Sequence, residues 1–211
     1  NNPDLARMLV SNWEYDADSL DLFQHFRISA NAIYPFRIHG EVCFLRFCPT
    51  SEKAKEQILA ELEFIHYLRS SRYPALEPVP VQSGDCLVQK DTPWGEYYAS
   101  VFKRVPGKPI SEAGFEDHII FAYGAALGEL HTQSRAYTAP QVKRWTHLDM
   151  FAWIEEVLQA LPTQEPALSE LGLLREACSR LPCSPYLYGL IHYDFELDNV
   201  FYDETSRTCS V

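Results

Sequence analysis

The chain has 211 residues, 46% hydrophobic and 13% aromatic, and a formal net charge of -11. This is enough apolar material for one or two buried cores, which excludes a disordered or fibrous chain; the acidic balance excludes an extended nucleic-acid surface, which needs Lys and Arg against phosphates. No uncharged apolar run approaches a membrane span, and the first residues, Asn-Asn-Pro-Asp-Leu-Ala-Arg, lack a basic stretch followed by an apolar one, so neither a transmembrane helix nor a signal peptide is expected.

Three strands are expected first, in a meander: Leu22 to Ile28, Ile33 to Ile38 and Val42 to Phe47, rich in aromatic and branched residues. Ser29 to Ala32 and His39 to Glu41 supply the turns. In the third run a period of two puts Cys43, Leu45 and Phe47 on one face and Phe44 and Arg46 on the other. Ser51 can cap a helix running to about Leu68, with Ile58, Leu62, Ile65 and Leu68 at helical spacing. At about 100° per residue Glu61 falls inside that apolar stripe, whereas Glu63 points to the other side. A carboxylate there needs a cation, because an unpaired buried charge is costly, and Arg46 is the candidate. The alternative is that Glu61 sits at the stripe's margin and reaches water, with Arg46 a solvated edge charge.

After the proline-rich loop Pro74 to Pro80, two more strands are expected at Cys86 to Gln89 and Tyr97 to Phe102, joined by a turn around Gly95. Phe102-Lys103-Arg104-Val105-Pro106-Gly107 then breaks the sheet and marks a boundary and hinge between residues 1–104 and 105–211. The rest reads as mainly helical. One helix follows Ser111 and carries Gly124 and Gly128 in one stripe, where another backbone is expected to pack closely, since glycine costs helix stability of about 1 kcal/mol against alanine. Further helices are expected at about Leu148 to Leu161 and Ala167 to Leu181, with Pro162, Pro166 and Pro182 as stops. The six cysteines form no C-x-x-C pair and have no neighbouring His to suggest zinc; they read as reduced thiols, which places the protein in the cytoplasm.

One stretch carries chemistry. In Gly189 to Asp203, His192, Asp194 and Asn199 stand as H-x-D-x-x-x-x-N, the spacing of a kinase catalytic loop. Asp194 would take the proton of an attacking hydroxyl and Asn199 would hold magnesium on nucleotide phosphates. The plain alternative is a strand end followed by an acidic, solvated turn.

Taken together, Val42-Cys43-Phe44-Leu45-Arg46, Glu61 in Ala-Glu-Leu-Glu-Phe, Tyr123-Gly124-x-x-x-Gly128-x-x-His131 and Leu190-Ile191-His192-Tyr193-Asp194-Phe195-x-x-x-Asn199-Val200 resemble the aminoglycoside phosphotransferase and choline kinase family of small-molecule kinases. The resemblance implies an α+β, two-lobed protein-kinase-like fold, with a five-stranded antiparallel sheet and one helix in the N-terminal nucleotide-binding lobe and a mainly helical C-terminal lobe. It implies ATP with Mg2+ and transfer of the γ-phosphoryl group to a small-molecule hydroxyl, as on an aminoglycoside, choline, homoserine or a sugar. Asp194 is then the catalytic base, His192 braces the loop, Asn199 is a metal ligand, Arg46 is the phosphate-binding cation and Glu61 its partner. Lys103 and Val105 lie where the hinge backbone meets adenine.

The departures are specific. Arg46 holds a position often occupied by lysine, Tyr193 replaces a small residue, Glu196 and Asp198 add carboxylates that face either a cationic substrate or water, and no G-x-G-x-x-G precedes the third strand, so Ser29 to Ala32 must cover the phosphates. The family's second metal aspartate, on the strand after the loop, is absent before Val211. The chain is therefore expected to be a fragment of a truncated lobe, with that aspartate in a missing C-terminal segment, a separate chain or a dimer partner. Two other functions stay open: a non-catalytic nucleotide- or metabolite-binding domain of the same fold, and a metal-dependent hydrolase using His192, Asp194 and Asp198.

Overall fold

The computed structural model describes residues 2–138, 144–184 and 186–211, and its contacts gather into two units, Asn1–Gln133 with His192–Val211, and Ser134–Ile191. The larger unit is built on a six-stranded antiparallel sheet. Its order runs β1 (Arg27–Ile28), β2 (Ala32–Ile38), β3 (Glu41–Pro49), β6 (Gly95–Lys103), with β4 (Pro78–Val79) and β5 (Val88–Thr92) both on the far edge of β6. β3 and β6 pair from Cys43 with Lys103 through Pro49 with Tyr97, so Arg46 lies opposite Ser100.

The expected alternation in β3 is observed. Cys43, Leu45 and Phe47 are buried in a core with Tyr34, Phe36 and Val101, while Cys48, Tyr98 and Phe102 face α2 (Lys55–Ser70) through Ile58 and Leu62. The first core is completed by an element that hydrophobic periodicity did not flag, α1 (Pro3–Val10). Pro3 opens it, the Asn2 side chain accepts from Leu5 N at 3.0 Å, and Leu5, Leu9 and Val10 face the sheet.

Two expectations in the sheet are corrected. Leu22 to Ile28 is not a full strand: Ala17–His25 winds as a 3₁₀ helix, leaving two residues in β1. Ser19 explains this, because its buried hydroxyl donates to Asp16 O at 2.6 Å and accepts from Arg37 N at 2.9 Å, a local arrangement that replaces ladder bonds. The count rises from five strands to six because Pro78–Val79 pairs with β6. α2 also starts at Lys55 rather than after Ser51, with Gln57 Oε1 accepting from Ala54 N.

Beyond β6 the larger unit continues through β7 (Lys108–Pro109), α3 (Ile110–Ala113) and most of α4 (Asp117–Ala136), then resumes with the hairpin β8 (Phe201–Asp203) and β9 (Thr208–Ser210). Ile110, Ile119, Val200, Tyr202 and Cys209 form its core. Gly107 has φ +91°, and a Cβ there would stand 2.1 Å from Tyr202 O; this is the position where only glycine lets the backbones meet. Gly124 and Gly128 behave differently. A Cβ at either would meet nothing within 4 Å among the described residues, so the expected close backbone contact on α4 is not found; the buried face is that of Ile119 and Leu130.

The smaller unit contains α5 (His147–Gln159) and α6 (Glu165–Ser179), each beginning within two residues of its expected start. Thr146 and Asp149 close a capping box on α5, and Arg175 bonds Glu155 at 2.8 Å between the two helices. Among the described residues no helix is long and apolar enough to cross a membrane. All six cysteines are free, and burial pushes the Cys43 thiol up to about 11.

Candidate functional site

The charged pair read from the sequence is formed. Arg46 Nη1 bonds Glu61 Oε1 at 2.5 Å, and the guanidinium lies 4.6 Å from the centre of the Phe102 ring. β3 supplies Arg46 from its α2-facing side, and α2 turns Glu61 toward it between buried Ile58 and Leu62. Burial alone would raise the Glu61 carboxyl, but the charges and hydrogen bonds of Arg46 and then Lys53 outweigh it and hold the group below its ordinary value. Lys53 Nζ stands 3.7 Å from the other oxygen, Oε2. Sequence reasoning missed Lys53 because it lies in the irregular turn before α2, where no periodicity marks a direction. Asn31, from the turn expected to cover phosphates, lines the same small recess as Arg46, Lys53 and Ser100.

Lys103 ends β6. Its N–H donates to Glu77 O at 2.9 Å and its ammonium bonds Glu77 Oε1 at 2.7 Å, a hydrogen bond that raises the Lys103 pKa and lowers that of Glu77. Arg104 N donates to Val42 O, whereas Val105 N–H has no backbone partner among the described residues. Glu77 is a further partner that the sequence did not mark, since it lies within the proline-rich loop, where no periodicity sets a direction.

The loop from His192 alternates in exposure. Tyr193, Asp194, Glu196 and Asp198 are exposed, while Phe195 and Leu197 turn inward against the hairpin core. Asn199 Nδ2 donates to Asp194 Oδ2 at 2.7 Å and to Asp194 O at 3.2 Å, which closes the loop on itself and brings the carboxylate and amide together. His192 packs edge-on against Phe195, ring centroids 5.8 Å apart, and its Nδ1 is buried without a hydrogen-bond partner among the described residues. Besides the packing of Phe195 and Leu197, hydrogen bonds from outside hold the loop. Ser111 N donates to Leu197 O, Ile110 N to Val200 O, and the Tyr123 hydroxyl to Phe195 O at 2.7 Å. The first two are backbone contacts, which carry no signal in side-chain identity.

The donor set suits a hard cation. Asn199 presents an amide oxygen and Asp194 a carboxylate, the oxygen ligands that Mg2+ takes when it keeps several waters and binds through phosphates. Among the described residues no three His, Cys, Asp or Glu side chains gather as a group that could hold a metal ion.

An antiparallel sheet whose strand arginine is paired to a helix glutamate, together with a separate His-x-Asp loop closed by an asparagine, is the frame of a kinase-like fold. The family model described as "Phosphotransferase enzyme family" (APH) matches residues 35–210, and the chain belongs to that family. Among curated proteins it is similar to amicoumacin kinase of Bacillus subtilis (strain 168), 22% identical over 198 residues that cover 90% of this chain and 57% of that protein. Among solved structures it is similar to the amicoumacin kinase hAmiN in complex with AMP-PNP, Ca2+ and Ami (TM-score 0.81, 21% identity, 100% of this chain and 63% of that one). It is also similar to a microcompartment-associated aminopropanol kinase (TM-score 0.70, 18% identity, 100% and 68%) and to an aminoglycoside-3'-phosphotransferase of type VIII (TM-score 0.52, 18% identity, 84% and 63%). The chain thus spans less than two thirds of the amicoumacin kinases it matches.

Proposed function

We propose that the protein carrying this chain is a small-molecule kinase that moves the γ-phosphoryl group of ATP to a hydroxyl of an amine-bearing acceptor. One observation carries the reading: the 2.7 Å bond from Asn199 Nδ2 to Asp194 Oδ2, which sets an exposed carboxylate beside an amide oxygen on a single braced loop. Asp194 accepts the proton of the acceptor hydroxyl, whose oxygen forms a bond to the γ-phosphorus as the bond to the leaving ADP oxygen breaks. Asn199 would hold Mg2+, which when bound would neutralise charge on the phosphate oxygens. Arg46, oriented by Glu61, holds nucleotide phosphate, and Lys53 adds a second cation beside it. The N–H of Val105, without a backbone partner among the described residues, is offered to the adenine edge, with Lys103 beside it at the hinge. His192 braces the loop through Phe195.

An amine-bearing acceptor is supported by the exposed carboxylates Glu196 and Asp198 beside Asp194, by the net charge of -11, and by relatives named for amicoumacin, aminopropanol and aminoglycosides. The test incubates the natural full-length protein with ATP, with Mg2+ or with EDTA, and amino alcohols, aminoglycosides and sugars as acceptors. Metal-dependent formation of ADP and of a phosphorylated amino alcohol is expected. Nucleotide binding without transfer to any acceptor would instead support a non-catalytic binding domain.

A further inference from the structure

The loop bearing Asp194 is anchored by backbone pairs, by the packing of Phe195 and Leu197 on apolar side chains, and by a hydrogen bond from one side chain among the described residues. Ser111 N to Leu197 O, at 3.2 Å, and Ile110 N to Val200 O, at 2.9 Å, fix its far half. Its near half, next to Asp194, is held by the packing of Phe195 against the cluster that includes Leu130 and Tyr73, and by Tyr123 in α4. The Tyr123 ring lies 5.1 Å from the Phe195 ring at an interplanar angle of 33°, and its hydroxyl donates to Phe195 O at 2.7 Å. Phe195 in turn meets His192 edge-on, so Tyr123, Phe195 and His192 form one aromatic row around the residue that carries the carboxylate.

We infer that Tyr123 is a positioning residue: by holding the carbonyl of Phe195, it fixes the Phe195–Glu196 peptide one residue beyond Asp194 and so restrains the backbone from which the Asp194 carboxylate is directed. The inference rests on the phosphotransferase reading for its catalytic consequence. The chemistry of the phenol agrees with it. Burial, with the Glu196 carboxylate and Cys209 nearby, raises the Tyr123 pKa, so the hydroxyl keeps its proton and remains a donor through neutral pH. The geometry also separates two roles of the side chain, because the ring packs on Phe195 while the hydroxyl alone reaches the carbonyl. Phenylalanine at this position keeps the first and removes the second.

The experiment compares wild-type and Tyr123→Phe in the natural full-length protein by steady-state phosphoryl transfer and by amide hydrogen exchange. In the variant, kcat is expected to fall about fivefold or more, the loss of one hydrogen bond felt at the reacting group, with the KM for nucleotide unchanged. Exchange of the amides at 195–200 is expected to quicken, while the amides of α4 around Ile119 to Leu130 stay as in wild-type and the thermal midpoint falls by no more than about 4 °C. Unchanged kcat with unchanged loop exchange would overturn the inference. So would a uniform loss of protection across α4 and the sheet, which marks a merely structural tyrosine. If the wild-type protein transfers phosphoryl groups to no acceptor, the functional reading fails, and exchange at 195–200 alone decides whether Tyr123 fixes the loop.

Discussion

Arg46 and Glu61 show how one paired charge can be read in two ways, as stability and as function. Arg46 is largely covered, with 17% of its side chain exposed, and Glu61 keeps 33%. Removing the carboxylate would leave a mostly buried guanidinium without its charged partner, so Glu61→Gln is expected to cost about 1–3 kcal/mol in unfolding free energy, measured by urea denaturation at neutral pH. The pH dependence has a definite sign. A carboxyl whose folded pKa is depressed stabilises fully above its ordinary value of 4.5 and loses that contribution as pH falls through the lowered value. The gap in thermal midpoint between wild-type and Glu61→Gln should therefore be constant above about pH 5 and close at lower pH; a gap that persists at pH 2 would show that packing, not charge, explains it. On the functional side, Arg46→Ala is expected to weaken nucleotide binding about tenfold or more, read by titration calorimetry, through loss of a charge-assisted phosphate contact.

At the scale of elements, the passage from β6 into α3 turns on Gly107. Its left-handed φ of +91° and the 2.1 Å approach of a would-be Cβ to Tyr202 O leave no room for a side chain, and the obstacle is backbone rather than a movable rotamer. Gly107→Ala is expected to destabilise the protein by about 1–3 kcal/mol by chemical denaturation, and to loosen the contact of β7 with β8 seen by hydrogen exchange.

The elements also divide by how they appear in sequence. β2, β3, β6 and α2 are legible because each buries a face of fixed period, and Arg46 and Glu61 were legible because each departs in charge from such a pattern. The 3₁₀ segment at Ala17–His25 was not, since Ser19 and Asp16 act through side-chain to backbone bonds that imitate nothing periodic. Asp194 and Asn199 were found by spacing alone. Their brace, from Tyr123 and from Ser111 and Ile110, arises from residues over 70 positions away and from backbone groups, so no local pattern could reveal it. The exposed faces of Gly124 and Gly128 mark the opposite error, in which a composition signal invited a contact that the described residues do not make.

At the scale of the molecule, the sheet, its paired helix and the His192–Val211 segment belong to one unit, so the Arg46–Glu61 pair and the loop share a single folded body. Their joint action as a phosphotransfer site is the central claim. The most direct measurement is ATP turnover and nucleotide affinity in Asp194→Asn, which removes the proton acceptor but keeps the shape of the side chain. A fall in transfer rate of about 100-fold or more with nucleotide affinity unchanged is expected. An undiminished rate in Asp194→Asn would contradict it.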